Sequence, residues 1–183
     1  MIARKLGVEK LSLDGALIIN PMESSDERGA FYKLFNEELL KENGIGTYFC
    51  EQYISSSKKG VVRGLHYQAG ESSQAKLVQC IKGEVYDVIL DLRKSSPTFG
   101  RWTGIMLNDK TKQTLLIPRG FAHGFAALSE ATMNYLVDNH YSPKDERGVR
   151  WNDPALSIDW KVKKPIINDK DGLLPLFKDA EYF

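Results

Sequence analysis

Histidine and cysteine are both scarce in this chain, with 3 and 2 copies among 183 residues. A mononuclear metal site wants three or four histidine or carboxylate ligands, often with two of them as His-x-His on one strand. His66, His123 and His140 are scattered and form no such pair, so no metal is expected. Cys50 and Cys80 lie in apolar, strand-like contexts with no nearby histidine or glycine-rich turn. They read as reduced core thiols, not nucleophiles. Gly-x-Ser-x-Gly, the phosphate-binding P-loop and the dinucleotide fingerprint are all missing. No apolar run approaches the ~20 residues of a membrane span, and the opening MIARKLGVEK has no apolar signal core. A cytoplasmic protein is therefore expected. Formal net charge is +1, which offers no broad field for nucleic acid or a membrane surface. Any anionic ligand must be held by a local cluster.

What the sequence has in quantity is short strand signals. LSLDGALIIN (11–20) alternates about a turn at Asp14-Gly15, FYKLF (31–35) is aromatic, and TYFCEQYISSS (47–57) is long and β-prone. VVRGLHY (61–67) follows the Lys58-Lys59-Gly60 turn. KLVQCI (76–81) and EVYDVILDL (84–92) meet at Lys82-Gly83, which reads as a tight hairpin. RWTGIML, QTLLIP, FAHGFAAL and MNYLVD follow between residues 101 and 138. Glycine and proline punctuate this succession, the signature of an all-β sandwich or barrel. One short helix is expected near residues 36–43, capped by Asn36 and stopped at Gly44. From about residue 141 to 183 the apolar residues recur without a period, predicting an irregular tail that wraps a jelly-roll core of about 11–140 in a single domain.

EVYDVILDL also poses a problem of burial. Val85, Asp87, Ile89 and Asp91 share one strand face. Either the carboxylates lie on the wetter side of a sheet, or they line a ligand cavity with partners. VVRGLHYQ (61–68) sets Arg63 inside a strand signal with His66 close behind. Arginine suits bidentate contacts to phosphate oxygens; a histidine held by a carboxylate suits general base catalysis, and a tyrosine can serve as the acid. Each residue also has a plainer reading, as a solvated charge or a hydrogen-bonded structural side chain. Spacing alone does not pair them.

The longer motifs go further. VVRGLHYQ, QAKLVQCIKGEVYDVILDLRKSSPTFGRW, IPRGFAHGFAALSE and WNDPALSIDW, with DERGAF near the start and NDKDGLLPL near the end, resemble the dTDP-4-dehydrorhamnose 3,5-epimerase family from about Leu13 to Leu176. The resemblance implies a cupin-type jelly roll, a homodimer, and no metal or organic cofactor. It implies a nucleotide-linked 4-keto-6-deoxyhexose as substrate, inverted at the two carbons flanking the ketone. Carried over residue by residue, it makes His66 the base, Asp171 the holder of its imidazole, Tyr135 the acid on the opposite face and Lys76 the cation near the keto oxygen. Arg28, Arg63 and His123 would hold substrate, with both arginines on the diphosphate. Glu146 would help close the site, and Asp87 would stand behind it. Phe31 and its neighbours would reach the partner's nucleotide. Lys33, Gln52 and Tyr141 complete the implied substrate-binding set.

Two segments depart from that family's pattern. Lys33 stands where a glutamate is usual, and Glu51-Gln52-Tyr53-Ile54-Ser55 replaces Gln-Asp-Asn-His-Ser. Both bear on the nucleotide and the hexose. The stretch between His123 and Tyr135 is one residue shorter, while Tyr135 and Tyr141 keep their mutual spacing. The alternatives are an epimerase of a single centre or another nucleotide, a ketoisomerase, a non-catalytic sugar-nucleotide-binding cupin, and a metal-dependent cupin oxygenase.

Overall fold

The computed structural model describes residues 2–46 and 48–183. In the described residues the chain runs β1 (Ile2–Arg4), β2 (Gly7–Lys10), β3 (Leu17–Asn20), β4 (Met22–Asp26), β5 (Gly29–Lys33) and α1 (Glu37–Glu42). It continues through β6 (Glu51–Ser57), β7 (Val62–Gln68), β8 (Lys76–Lys82), β9 (Glu84–Asp91), β10 (Trp102–Asn108) and β11 (Thr114–Ile117). The last elements are β12 (Phe121–Ala127), β13 (Ala131–Val137), β14 (Glu146–Gly148) and the one-turn α2 (Asp169–Gly172).

Two antiparallel sheets face each other. One has the order β10-β9-β12-β7-β14 and the other β2-β3-β11-β8-β13-β6. A third sheet, β1-β4-β5, stands apart from them. The alternation in the strands explains the layers. Val85 and Ile89 of β9 point inward to meet Val78 and Cys80 of β8, Met133 and Tyr135 of β13 and Phe125 of β12. Val88 and Leu90 of β9 point the other way, where the tail covers them with Val149, Leu156 and Trp160. The outer face of the six-stranded sheet, with Leu17, Ile19, Leu77 and Leu116, is covered by Leu40 and Leu39 of α1 and by the segments flanking it. The central strands β9, β11 and β12 are thus buried on two sides and read as largely apolar runs, whereas the edge strands β2, β6 and β10 stay partly exposed.

The Lys82-Gly83 turn is not a hairpin. β8 pairs with β11 and β13, whereas β9 pairs with β10 and β12. The chain changes sheets at Gly83, whose φ is +77° and whose backbone lies against Glu130, where an added Cβ would fall 2.1 Å from the Glu130 carbonyl. A tight glycine turn serves a hairpin or a sheet corner alike, so local chemistry could not choose. Other boundaries also move. Leu11 to Ala16 form a turn, and β3 pairs instead with β2. The aromatic run at 31–35 is strand only to Lys33, as the second arm of the β4–β5 hairpin. The strand expected from residue 47 begins at Glu51; Thr47 lies outside the described residues. α1 forms as expected, with the Asn36 side chain accepting from the Leu39 N–H at 2.9 Å. α2 and β14 were not foreseen in the tail.

Candidate active site

The interior between the sheets is filled with aliphatic and aromatic side chains at one end and opens at the other into a cavity of about 450 Å³. Its inner wall shows why Arg63 and His66 can work together. In a regular strand, residues three apart face opposite sides. Here β7 carries an extra residue against β12: Arg63 pairs with Phe125 and His66 with His123, so Gly64 and Leu65 together oppose Gly124. This bulge resets the alternation, and Arg63, His66 and Gln68 all line the cavity, while Val62 and Leu65 pack under the tail and Tyr67 reaches from that cluster to the cavity edge. Only glycine fits there. Gly64 has φ +114°, and a Cβ on it would lie 2.6 Å from the Gly124 Cα.

The bulge also receives Asp171. Its Oδ2 accepts the Gly64 N–H at 3.0 Å, and its Oδ1 lies 2.7 Å from His66 Nε2. Asn168 caps α2 by accepting the Asp171 N–H at 2.6 Å, which fixes the approach of that carboxylate. Asp171 is 1% exposed. Burial alone would raise its pKa, but the His66 contact and the Gly64 N–H outweigh it and hold the carboxyl below its ordinary value. A proton kept on Nε2 by this carboxylate leaves the imidazole lone pair on Nδ1.

A second histidine–carboxylate pair lies deeper. His123 Nε2 is 2.8 and 2.9 Å from the two Asp87 oxygens. Asp87 is fully buried, and burial raises its pKa against the pull of His123 and Lys76. Asp87 fits neither of the two readings open for it: it is 0% exposed, so it lies neither on a wet face nor on the cavity lining, and it backs His123, which does line the cavity. Asp91 is different: Arg93, Ser96 and Thr98 satisfy it at the far end of the strand.

The facing sheet supplies Lys76 from β8 and Tyr135 from β13. Lys76 is buried, and desolvation brings its ammonium down to about 8, opposed by the negative charge of Glu146 and Asp87. Tyr135 is buried too, and burial drives its phenol well above the ordinary tyrosine value, so it stays protonated. The Tyr135 ring stacks on Tyr53 of β6, with centroids 4.9 Å apart and planes at 17°. At the rim, Glu146 accepts from Tyr141 at 2.8 Å and from Lys170 at 2.6 Å. Burial would raise the Glu146 carboxyl, but these bonds keep it low.

The cavity therefore gathers His66, Tyr135, Lys76, Arg63, His123, Tyr141 and Glu146, with Asp171 directly behind His66. Arg28, Phe31 and Lys33 are not brought to it. They lie on the β4–β5 hairpin, where Arg28 pairs with Asp26 and Phe31 is 60% exposed. Gln52 is not in the cavity either. It sits on the outer face of β6 and donates to Asn134 at 2.9 Å. Its neighbours Tyr53 and Ser55 face inward instead. Tyr53 and Ser55 stood out in the sequence only as part of a segment that departs from the family pattern, and neither they nor Gln68 and Gln74 were singled out as lining residues. The alternation of β6 was a usable signal for the first two, once Tyr135 was placed opposite. Gln68 and Gln74 had none: they tie down the rim loop by accepting the Ser142 N–H and donating to the Asn139 carbonyl. Among the described residues no group of three or more histidine, cysteine or acidic side chains converges as metal ligands.

An antiparallel jelly roll enclosing a cavity between its sheets is the cupin architecture, and this cavity is lined by side chains able to donate and accept protons. A family model described as dTDP-4-dehydrorhamnose 3,5-epimerase matches residues 10–179. A dTDP-4-dehydrorhamnose 3,5-epimerase of Shigella flexneri is 46% identical over 97% of this chain and 99% of its own. One from Methanothermobacter thermautotrophicus is 48% identical over 88% and 89%. The crystal structure of the enzyme of that name from Elizabethkingia anophelis superposes with a TM-score of 0.94 at 44% identity, covering 98% of this chain and all of that one. The chain belongs to the dTDP-4-dehydrorhamnose 3,5-epimerase family.

Proposed function

We propose that this chain inverts C3 and C5 of dTDP-4-dehydro-6-deoxy-D-glucose to give dTDP-4-dehydro-L-rhamnose. The observation that carries the reading is His66 on one sheet, backed by Asp171 of α2, with Lys76 and Tyr135 on the sheet facing it. A C–H next to a ketone loses its proton only if the resulting enolate is stabilised. His66 takes the proton, with Asp171 bearing the imidazolium charge. The electron pair moves onto the keto oxygen beside the Lys76 ammonium. Tyr135 then delivers a proton to the other face of the same carbon, and water restores both groups. Repetition at the second carbon completes the reaction. No hydride moves, so the net change needs no oxidant or reductant.

Arg63 would anchor the diphosphate at the mouth, and Tyr141, Glu146 and His123 would enclose the substrate. Arg28, Phe31 and Lys33 stand on the β4–β5 hairpin outside the cavity of their own chain, which supports a homodimer in which the hairpin of one protomer serves the site of the other. A dTDP-sugar and a second copy are then the partners, and the compartment is the cytoplasm. Tyr53 beside Tyr135 favours one further reading, an epimerase of a single centre, because a second ring on that wall limits how a sugar can turn.

Proton NMR of the 4-keto substrate in D₂O, with the purified protein and a reductase to trap product, tests this. Exchange and inversion at both C3 and C5 are expected. Exchange at one carbon alone establishes the single-centre reading, and no exchange with this or any other nucleotide-linked 4-keto-6-deoxyhexose overturns the assignment.

A further inference from the structure

Tyr53 has no part in the chemistry above, yet its contacts make it the immediate support of a group that does. Tyr53 and Tyr135 are directly opposed in the β6–β13 ladder. Their rings lie nearly parallel at 4.9 Å, and Tyr135 also meets the His123 ring edge-on at 6.0 Å and 68°. The Tyr135 ring is thus confined on two sides, by a face and by an edge. His123 is itself locked by Asp87, so that side is rigid. On the other side stands β6, the last strand of its sheet, with Tyr53 against the ring face and Ser55 at the hydroxyl, and Tyr53 is 40% exposed where Tyr135 is 6%. The Tyr53 phenol is pushed up to about 12 by burial and by the charges of Glu51 and Glu146, which keeps a neutral ring against its neighbour.

We propose that Tyr53 is a positioning residue for Tyr135: its stacked ring holds the phenol in line with the reacting carbon and sets how often proton removal ends in inversion. The proposal rests on the reading of Tyr135 as the acid. Once the enolate has formed, it has two fates. His66 returns a proton to the original face, which in D₂O leaves deuterated substrate, or Tyr135 delivers one to the opposite face, which makes product. A Tyr135 ring free to swing away would slow only the second. The ratio of washed-out substrate to product reads the position of Tyr135 and ignores the rate of proton removal.

The experiment measures that ratio by NMR in D₂O for the wild type, Tyr53→Phe, Tyr53→Leu and Tyr135→Phe, with thermal unfolding of each. Tyr53→Phe keeps the stack and is expected to keep the wild-type ratio. Tyr53→Leu keeps apolar bulk, loses the aromatic pair, and is expected to raise the ratio about fivefold, within the range an aromatic pair supports. KM and the unfolding temperature should stay near wild type. Equal ratios in Tyr53→Leu and wild type overturn the proposal, as does a loss of exchange and inversion in the same proportion, the mark of a merely structural role. A change as large in Tyr53→Phe assigns the effect to the hydroxyl and overturns the stacking role. A Tyr135→Phe ratio equal to wild type removes Tyr135 as the acid, and a wild type with no exchange removes the epimerase reading; either overturns this proposal from beneath and is distinct from its own failure.

Discussion

His66 is ordinary as an amino acid and unusual in its company. Replacing it with alanine removes the group proposed to take the proton, so turnover should fall by about 10²–10⁴-fold while substrate affinity changes little. Steady-state kinetics with binding measured separately would check this, and near-normal turnover would remove His66 from the role. Lys76 yields a prediction in pH. Its ammonium is depressed to about 8 by burial, so the protonated form is present below that value and lost as pH rises through it. If the charge steadies the enolate, kcat/KM, which reports the free enzyme, should decline on the alkaline side with a midpoint near 8. Lys76→Arg, whose guanidinium does not titrate in this range, should be slower but lose that limb. A wild-type profile flat to pH 9.5 would show that the charge of Lys76 is not needed.

At the scale of the element, the bulge in β7 is what makes the site possible. It turns a spacing of three residues into two side chains on one wall, and it presents the Gly64 N–H to Asp171. A methyl at position 124 would sit 2.5 Å from the Arg63 carbonyl. Gly124→Ala should therefore destabilise the fold by at least about 2 kcal/mol, and should cost activity beyond that by moving His66. Chemical denaturation beside single-turnover rates on the folded fraction separates the two effects. The cap of α2 acts more gently. Asn168→Ala removes the acceptor of the Asp171 N–H, at about 1 kcal/mol of local order. It should lower kcat more than it raises KM, because Asp171 touches His66 and not the cavity. None of this was visible beforehand: a bulge is defined by the strand opposite, and a one-turn helix has too little sequence to show a period. The capped α1, by contrast, was legible, since Asn36 and the acidic first turn act within a few residues.

For the whole molecule, the tail is structural cover for the sheet that carries His66. Glu181 accepts from Tyr67 through its carbonyl at 2.6 Å and from Arg147 through its carboxylate at 2.8 Å. The Phe183 N–H donates to Leu92 at 3.0 Å, and its ring meets Tyr67 edge-on. Removing residues 181–183 would expose Tyr67, the immediate neighbour of His66. A loss of about 3 kcal/mol is expected from the aromatic burial alone, or roughly 6–12 °C in unfolding temperature for a chain of this length. Differential scanning calorimetry would measure it, and an unchanged transition would show that the tail is ornament to the barrel.

By itself the sequence determined which residues face which way along most strands, because alternation is a local property of the backbone. Val85, Asp87 and Ile89 fell on one face whatever the fold, and the long motifs carried the family and the cupin fold with them. Only the tertiary structure decided partners. Lys82-Gly83 could close a hairpin or turn a corner between sheets, and the difference lies in β11, β12 and β13, which come later in the chain. Asp171 stands 105 residues from His66 and meets it only because α2 docks on the bulge. The sequence marked Tyr53 only as a departure from the family pattern, and its partner was undefined until β13 lay beside it. Local preference acts over a few residues, while hydrogen-bond pairing and burial act between segments that the sequence leaves far apart.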